Sequence, residues 1–538
     1  MNQKVNSHIG KKLLDMLMFS MYNDAKIIYR EYIQNAFDSI NVAVQQKILS
    51  KVKDGIVTVK IDQHNRNISI CDNGTGIAVD YAPTVLTSIA DSKKDGFEQA
   101  GVYGIGRLVG AGYCNRLEFK TSVKGEDRAT ILSFDVNKTR EILDDEKDNR
   151  SATEVMDAIV SWKTEPESAE SHYFEANLYG VKEEYPILLS ERDIVEYLKE
   201  VAPIDYEMPF KNNIMYASIE DGSMYDNLQQ ALNYIKISVN DHLDIRKRYS
   251  NKIIGTGDDI VGLQYFSLDD PVFGKLAWGW FAITKFTKAI PASDANRCIR
   301  LRKLNIQIGE ANYLNEYFDE ARGNNYFYGE IHACHKNLRP NTSRDGLTPT
   351  IEATKFFEHL KNYFKGLKDL YTLANKAKTA TRDIVAAQAK IKQEGISEQE
   401  KREAQAALTT GQKKLESAKK AAANKGASQA SAVNKMLEQY DTQIVESAEQ
   451  SSVNDTNISF VDGNSYSNSS TNVSPSKEET ATVITTPQDI FKPLANKYAK
   501  DQIAIIRRVF KSLMDNCPKE RVPLIEDLRK LVIKDLAK

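Results

Sequence analysis

The chain has 538 residues, a formal net charge of −2 at pH 7 and 41% hydrophobic residues. This length exceeds what one hydrophobic core supports, so we expect two to four domains. The near balance of charge argues against a general electrostatic attraction to nucleic acid, although local basic patches remain open. No apolar run is long enough to cross a membrane, and the first residues lack the pattern of a signal peptide.

The cysteines favour a reducing compartment. They are odd in number, scattered and without a C-x-x-C pair, at Cys71, Cys114, Cys298, Cys334 and Cys517. We therefore predict a cytoplasmic location and no disulfide framework.

Residues 26–45 show the strongest helical pattern. The apolar stripe comprises Ile33, Ala36, Phe37, Ile40 and Val44. A second face aligns Glu31, Asn35 and Asp38, because residues about one or two turns apart lie above one another. An amide oxygen suits Mg²⁺, and a carboxylate one turn away can take a proton from a water molecule. For this helix alone, a solvated polar face is the simpler alternative.

The next segment predicts a β-hairpin. Residues 55–62 and 67–77 alternate between apolar and polar side chains, and Asp72 stands where the second strand ends. Gly74 and Gly76 follow, and glycines let a backbone approach a ligand closely. A carboxylate at such a corner can accept a hydrogen bond from an exocyclic amine such as that of adenine. Ordinary turn chemistry is the alternative.

A glycine-rich loop follows, with Gly101, Gly104 and Gly106 spaced as G-x-x-G-x-G before an apolar segment. Backbone N–H groups at such a turn suit phosphate oxygens, although a flexible surface loop is equally consistent with the glycines. The spacing matches neither the dinucleotide fingerprint nor a Walker A loop. Further strands are predicted over residues 115–123, 129–136 and 151–160.

Taken in order, these motifs resemble the GHKL ATPases. The stretches that carry the resemblance are R-E-Y-I-Q-N-A-F-D-S-I, C-D-N-G-T-G-I, I-A-D-S-K-K, G-V-Y-G-I-G and A-T-E-V. The superfamily includes the ninety-kilodalton heat-shock chaperones, the gyrase B subunits, the MutL repair proteins and the sensor histidine kinases. The first and third stretches are most similar to the chaperones. The resemblance implies an α+β fold with a Bergerat-type α/β sandwich that binds ATP and Mg²⁺ under a mobile lid.

The resemblance also implies roles for individual residues. Glu31 would be the general base, Asn35 the Mg²⁺ ligand and Asp72 the reader of the adenine. The other implied contacts are Asp38 and Gly76 in the base and sugar pocket, Ser92, Lys93, Gly101, Gly104 and Gly106 in the lid, and Thr153 beside Asp72. Ala152 stands where the family usually has a glycine, which weakens the last motif.

The second region predicts a helix and connector over residues 186–215, followed by strands. These strands are predicted over 234–240, 260–268, 276–284, 299–309 and 326–335. The region resembles the middle domain of the chaperones, and L-R-P-N-T-S-R-D corresponds to the loop that ends L-N-x-S-R-E in that family. Arg344 would then reach the γ-phosphate when the domains close, with Arg339 as the second candidate. The alternative is a surface ion pair of Arg344 with Asp345 or with another nearby acid.

Two other groups favour structural roles. His332, Cys334 and His335 are metal-ligating residue types, but a fourth ligand is missing and the third residue points away from the other two in a strand. Trp278 and Trp280 share a strand face, which indicates core or interdomain packing, with a client surface as the alternative.

The tail changes in composition. We predict two long helices between 351 and about 425 that form an antiparallel hairpin or a coiled coil, and no dimerisation domain of the chaperone type. The predicted organisation is an ATP-binding domain with a lid (1–210), a chaperone-like middle domain (211–350), long helices (351–447), a disordered linker (448–486) and a small helical unit (487–538).

These patterns predict a Mg²⁺-dependent ATPase clamp that handles client or partner proteins, with homodimerisation left open. One alternative is a nucleic-acid clamp like the MutL or MORC proteins, which basic clusters would support. These clusters are Arg297, Arg300, Arg302 and Lys303, and Arg246, Lys247 and Arg248. Another alternative is an ATPase subunit of a multi-gene stress or defence system. A histidine kinase is disfavoured, because no phospho-acceptor helix precedes the ATP motifs.

Overall fold

The computed structural model describes residues 9–20, 24–88, 106–219, 233–423 and 427–456. Its helices are α1 (Lys12–Phe19), α2 (Ile27–Gln45), α3 (Ala82–Thr87), α4 (Val136–Asp144), α5 (Ala152–Ile159), α6 (Glu191–Val201), α7 (Met208–Phe210), α8 (Ile351–Lys392), α9 (Glu398–Ala423) and α10 (Ala427–Thr456). Its strands are β1 (Ile56–Asp62), β2 (Asn67–Asp72), β3 (Arg116–Ser122), β4 (Arg128–Asp135), β5 (Val160–Pro166), β6 (Tyr173–Tyr179), β7 (Lys236–Val239), β8 (Gly262–Asp270), β9 (Gly274–Ile283), β10 (Cys298–Lys303), β11 (Ile306–Ile308) and β12 (Tyr328–Ala333). Shorter helical turns cover Val52–Asp54, Gly106–Gly112, Pro186–Leu189, Lys211–Met215, Tyr216–Ser218, Tyr313–Tyr317 and Ala321–Tyr326.

Seven strands form the first sheet, in the order β5-β4-β3-β6-β2-β1-β7. β1 and β2 pair antiparallel with Val57 opposite Asp72, so the predicted hairpin is confirmed. In β1 the side chains of Val57, Val59 and Ile61 are buried and those between them are not, as alternation requires. The strands predicted over 115–123 and 129–136 are present as β3 and β4.

The helix predicted over residues 26–45 is α2, and it lies in the first core. Four residues of its apolar stripe, Ile33, Ala36, Phe37 and Ile40, are at most 1% exposed. Glu31 and Asp38 on the polar face are buried as well. These two residues are therefore not part of a solvated surface, and α2 is enclosed by the rest of the domain.

The second sheet has the order β11-β10-β12-β9-β8 and its own core. One of its faces packs against α8, α9 and α10. The other face carries an aromatic cluster that includes Tyr206, Phe210, Tyr249 and Trp280. Trp278 and Trp280 are 5% and 0% exposed, so the prediction that they lie in a core is confirmed.

The strand predicted over residues 151–160 is wrong. This segment forms helix α5, followed by strand β5 from Val160. Ser151 and Glu154 form a capping box, in which the Glu154 N–H donates to Ser151 Oγ at 3.2 Å and the Ser151 N–H donates to Glu154 Oε2 at 2.7 Å. The capping box satisfies the free N–H groups of a helix start, and this local gain outweighs the strand preference of the β-branched residues.

The strand predicted over 234–240 exists as β7, but it does not belong to the second sheet. It pairs parallel with β1 in the first sheet, and Ile235, Ile237 and Val239 are buried in the first core. Apolar residues on both sides of the predicted boundary at residue 210 therefore build the first core.

The two long helices predicted between 351 and about 425 are present as α8 and α9, and a further long helix, α10, follows them among the described residues. Gly395, at φ +80, lies between α8 and α9, where a left-handed conformation favours glycine. The third helix, α10, ends at Thr456 and so extends into the segment predicted as a disordered linker. The rest of that linker and the unit predicted over 487–538 lie outside the described residues. Within the described ranges, no helix combines the length and apolarity that a membrane crossing requires.

Candidate active site

The Glu31 carboxylate is the centre of the candidate site. Helix α2 carries it at 4% exposure, one turn before Asn35. Asn35 is partly buried and Asp38 is 1% exposed on the same side of the helix. The helical spacing in the sequence thus places the three side chains together, as predicted.

Arg344 reaches Glu31 from the second half of the chain. Its Nε donates to Glu31 Oε1, and its Nη2 lies 3.5 Å from Glu31 Oε2. The loop holds Arg344 at φ +58, with its N–H donating to the Asn341 carbonyl at 3.1 Å and its carbonyl accepting from Gly309 N–H at 2.9 Å. Arg344 is 8% exposed, so this is a buried ion pair between residues 313 positions apart.

Asp345 is not the partner that the sequence left open for Arg344. Asp345 is exposed and accepts a hydrogen bond from Asn341 Nδ2 at 2.6 Å. Arg339, the second candidate, is partly exposed, and its Nε donates to the Lys336 carbonyl at 3.3 Å. Of these two arginines, Arg344 is the one that contacts Glu31.

Gly106 stands against the same carboxylate. A Cβ added to Gly106 would overlap Glu31 Oε2, so a larger residue here would force the carboxylate to shift. Arg107 next to it donates from Nη2 to the Ser88 carbonyl at 2.8 Å. The Tyr32 hydroxyl donates to the Arg107 carbonyl at 2.9 Å. Burial raises the pKa of Tyr32 well above its ordinary value, so this hydroxyl keeps its proton.

The other predicted lid residues, Ser92, Lys93, Gly101 and Gly104, lie outside the described residues. Gly106 is therefore the part of the predicted lid that the structure describes, and it forms one wall beside Glu31.

Asp72 ends β2 at 4% exposure, and its Oδ1 accepts from the Gly74 N–H at 2.7 Å. Gly76 has φ +68, and a Cβ there would overlap the Ser122 carbonyl oxygen. The turn therefore requires glycine for both its conformation and its packing. This geometry orients one carboxylate oxygen of Asp72 toward the turn.

Three supporting residues were not predicted. Ser39 Oγ accepts from the Thr75 N–H at 3.0 Å, Thr121 Oγ1 accepts from the Ile77 N–H at 2.8 Å, and His172 Nδ1 lies 2.8 Å from the Gly74 carbonyl. Ser39 follows Asn35 by one turn of α2, so the helical pattern contained a signal for it. The positions of Thr121 and His172 depend on the pairing of β3 and β6, which the sequence pattern does not reveal.

Thr153 does not stand beside Asp72 on a strand. It is exposed in the first turn of α5, whereas the strands that flank β2 are β6 and β1. The structure therefore gives no support for placing Thr153 in the base pocket. Phe174 of β6 is the residue that pairs with Asp72 in the sheet.

The donor set around α2 fits Mg²⁺ only as a partner of phosphate. Among the described residues there is no group of three or more His, Cys, Asp or Glu side chains that could hold a metal ion. Asn35 offers one amide oxygen beside Glu31. Mg²⁺ bound to a nucleotide usually takes one or two protein oxygens and completes its shell with phosphates and waters, so this arrangement is adequate.

The basic residues that kept a nucleic-acid clamp open are largely internal. Arg300, Arg302, Lys303 and Lys247 are at most 4% exposed. Arg302 Nε lies 2.7 Å from Glu330 Oε1, and Lys247 Nζ lies 3.1 Å from Glu330 Oε2. These cations neutralise a buried carboxylate rather than forming a surface patch.

Burial strongly perturbs this cluster. Desolvation lowers the pKa of Lys247 to about 7. Desolvation also lowers the pKa of His332 to about 4, and its ring stacks on Trp278 with centroids 4.6 Å apart. Burial opposes the ionisation of Glu330, but Arg302 and Lys247 outweigh it and hold the pKa of Glu330 well below its usual range. His332 is thus a neutral core residue next to Glu330.

The fold and the site define a class. Residues 25–161 match the family model described as "Histidine kinase-, DNA gyrase B-, and HSP90-like ATPase". This range contains α2, the Asp72 turn and Gly106, but not Arg344. The N-terminal part of the chain is therefore an ATPase domain of the GHKL type, as the motifs indicated.

Curated relatives narrow the likeness to one branch. The chain is 27% identical over 192 residues to the chaperone protein HtpG of Rickettsia rickettsii (strain Sheila Smith), covering 32% of this chain and 30% of that protein. For HtpG of Bacillus velezensis the identity is 28% over 137 residues, covering 23% and 22%. For HtpG of Campylobacter jejuni (strain RM1221) it is 25% over 202 residues, covering 34% and 32%. The chain thus matches about a third or less of the length of these relatives.

Proposed function

We propose that this protein binds and hydrolyses ATP and converts nucleotide binding into a change in how its two sheets dock. The main observation in support of this proposal is that three separate segments meet at the Glu31 carboxylate. These are helix α2, the glycine at the base of the lid segment, and the loop that presents Arg344. An ATPase that must sense a second domain needs its catalytic base at such a junction.

Glu31 is the proposed general base, and Asp72 the proposed reader of the adenine amine. In hydrolysis, Glu31 takes the proton of the attacking water while Arg344 stabilises the negative charge that develops on the transferred phosphoryl group. In the structure the same two side chains pair with each other. ATP therefore has to replace Glu31 as the partner of Arg344, which also frees Glu31 to act as a base.

Asn35 is the protein group that would hold Mg²⁺. When bound, the ion would supply positive charge to the β- and γ-phosphate oxygens. The other roles in the proposed reaction belong to residues of the chain. Helix α2 orients the general base, the Asp72 turn positions the nucleotide, and Arg344 supplies a positive charge from the second half of the protein.

Handling of a client or partner protein is the biological role that we propose. The likeness to the chaperone protein HtpG supports it. The burial of Arg300, Arg302, Lys303 and Lys247 weighs against a nucleic-acid clamp, which would need such residues on its surface.

Steady-state ATP hydrolysis by wild type, Glu31→Ala and Arg344→Ala tests the proposal, with ATP binding measured in parallel. We expect both variants to bind ATP and to hydrolyse it at least 100-fold more slowly. Arg339→Ala is the matched control and should retain near-normal turnover. If Arg344→Ala is also normal, the second domain does not contribute to catalysis. A wild-type protein that binds no ATP would refute the proposal, and strong stimulation by DNA would favour the clamp alternative.

A further inference from the structure

A second contact zone between the two halves lies directly beside the Glu31–Arg344 pair. A small void there is lined by Gln34 of α2 on one side and by the second sheet and the Arg344 loop on the other. The lining residues from that other side are Lys303, Ile306, Gln307, Ile308, Pro340 and Arg344. Gln34 follows Glu31 by about one turn, so a movement of the second sheet relative to α2 affects both residues together.

Gln34 lines this void, and in the part of the chain that the structure describes the hydrogen-bonding capacity of its buried side-chain amide is unused. Its side chain is 1% exposed, and within the described residues neither Nε2 nor Oε1 has a hydrogen-bond partner. A buried amide that lacks partners is costly, and folded proteins rarely keep one without a reason. The neighbouring Gln307 differs, because its Oε1 accepts from Arg300 at 3.2 Å and its Nε2 donates to the Gly309 carbonyl at 3.1 Å.

Lys303 offers the complementary donor. Its Nζ is buried and donates to the His335 carbonyl at 2.9 Å and to the Cys334 carbonyl at 3.5 Å. An ammonium group has three N–H donors, so one remains beyond these two. Burial lowers the pKa of Lys303 to about 8.

The carbonyls of Cys334 and His335, which accept hydrogen bonds from Lys303, lie at the start of the loop that carries Arg344. If the loop shifts when Arg344 leaves Glu31 for the phosphate, the contacts of Lys303 with these two carbonyls change as well.

We propose that Gln34 and Lys303 are a positioning pair, in which the Gln34 amide oxygen accepts a hydrogen bond from the Lys303 ammonium once ATP has drawn Arg344 away from Glu31. The contact fixes the second sheet against α2 in the arrangement that hydrolysis requires. Gln34 touches neither substrate nor reacting atoms, so its role is indirect. This inference rests on the proposed ATPase function.

The test measures turnover number, ATP affinity and thermal stability for Gln34→Leu, Lys303→Met and the double variant. Loss of a hydrogen bond to a charged group should lower turnover about tenfold in each single variant, with ATP affinity within about twofold of wild type. Because both variants remove the same contact, the double variant should be no slower than the slower single. Gln34→Glu keeps an acceptor for Lys303 and should restore most of the turnover.

Thermal stability separates positioning from a structural role. Gln34→Leu removes an unsatisfied buried amide, so the nucleotide-free protein should melt at the same or a higher temperature while its turnover falls. A residue that merely supports the fold would lose stability and turnover together. Gln264→Leu is the matched control, because that amide donates to the Tyr265 carbonyl in β8, and its turnover should stay near wild type.

Two results would overturn the inference while leaving the ATPase proposal intact. One is wild-type turnover in both single variants, and the other is multiplication of their effects in the double variant. Absence of hydrolysis by the wild type would instead remove the proposed function on which the inference rests.

Discussion

Replacing Arg344 by methionine should destabilise the nucleotide-free protein, because the Glu31 carboxylate then stays buried without its partner. Glu31 is 4% exposed and Arg344 is 8% exposed, so neither group regains much water when the other is removed. Truncating one member of a buried ion pair typically costs about 3–5 kcal/mol. We expect roughly 3 kcal/mol for Arg344→Met, at the lower end of this range.

The double variant separates the ion pair from the general cost of changing either residue. Glu31→Gln removes one charge and should also destabilise, whereas Glu31→Gln combined with Arg344→Met removes both. Because replacing both members of a buried pair is often close to neutral, the double variant should be at least ~2 kcal/mol more stable than the sum of the single effects predicts.

Hydrogen exchange at the amides of α2 is the assay, since a chain of this size need not unfold in one transition. Arg339→Met is the matched control and should change the opening free energy by less than ~0.5 kcal/mol. If the two single effects add in the double variant, Glu31 and Arg344 do not stabilise each other and the reasoning is refuted.

Nucleotide affinity tests the same pair independently. Glu31→Gln should bind ATP about tenfold more tightly, because the γ-phosphate no longer competes with a carboxylate for Arg344. ADP lacks this phosphate, so its affinity should stay the same. Equal effects on ATP and ADP, measured by calorimetry, would show that Arg344 does not respond to the γ-phosphate.

Gly106→Ala should abolish hydrolysis without unfolding the protein, because the new Cβ overlaps the Glu31 carboxylate. Turnover measurements test the loss of hydrolysis, and circular dichroism tests whether the variant is folded. Asp72→Asn should weaken ATP binding about tenfold by removing the charged acceptor, whereas Thr153→Val, at an exposed position of α5, should stay within about twofold in calorimetry. Burial lowers the pKa of His332 to about 4, against about 6.5 when unfolded, so the unfolded chain binds more protons between these values and stability rises with pH there. Between pH 6.5 and pH 4, urea unfolding should show wild type losing up to ~3 kcal/mol relative to His332→Gln.

Each of these expectations has a contrary result. Normal turnover in Gly106→Ala would mean that Glu31 can move aside without loss. Equal weakening by Asp72→Asn and Thr153→Val would restore Thr153 to the pocket. Parallel pH profiles for wild type and His332→Gln would mean that His332 is not held neutral by burial.

Local sequence patterns were sufficient for the elements that carry the first half of the site. The spacing of Glu31, Asn35 and Asp38 predicted one face of a helix, and the alternation before Asp72 predicted a strand that ends there. Both periodicities depend on residues a few positions apart, so they can be read without knowing the rest of the fold.

Competition between local strand and helix signals explains why the strand predicted around Thr153 is wrong. The segment contains β-branched residues that favour a strand, but Ser151 and Glu154 satisfy the start of a helix and α5 forms instead. The polar residues that hold the Asp72 turn depend on strand pairing. Thr121 reaches the Ile77 N–H only because β3 lies where the sheet places it.

The sequence by itself determined the class of the N-terminal domain, the face of α2 and the turn after Asp72. Only the tertiary structure decided which charges meet: Arg344 with Glu31, and Arg302 and Lys247 with Glu330. The physical reason is that a buried charge requires a partner, but that partner is brought in by packing between segments far apart in the chain. In the sequence, Arg302 and Lys247 lie in clusters of basic residues that suggest a surface patch. In the folded protein both side chains are buried.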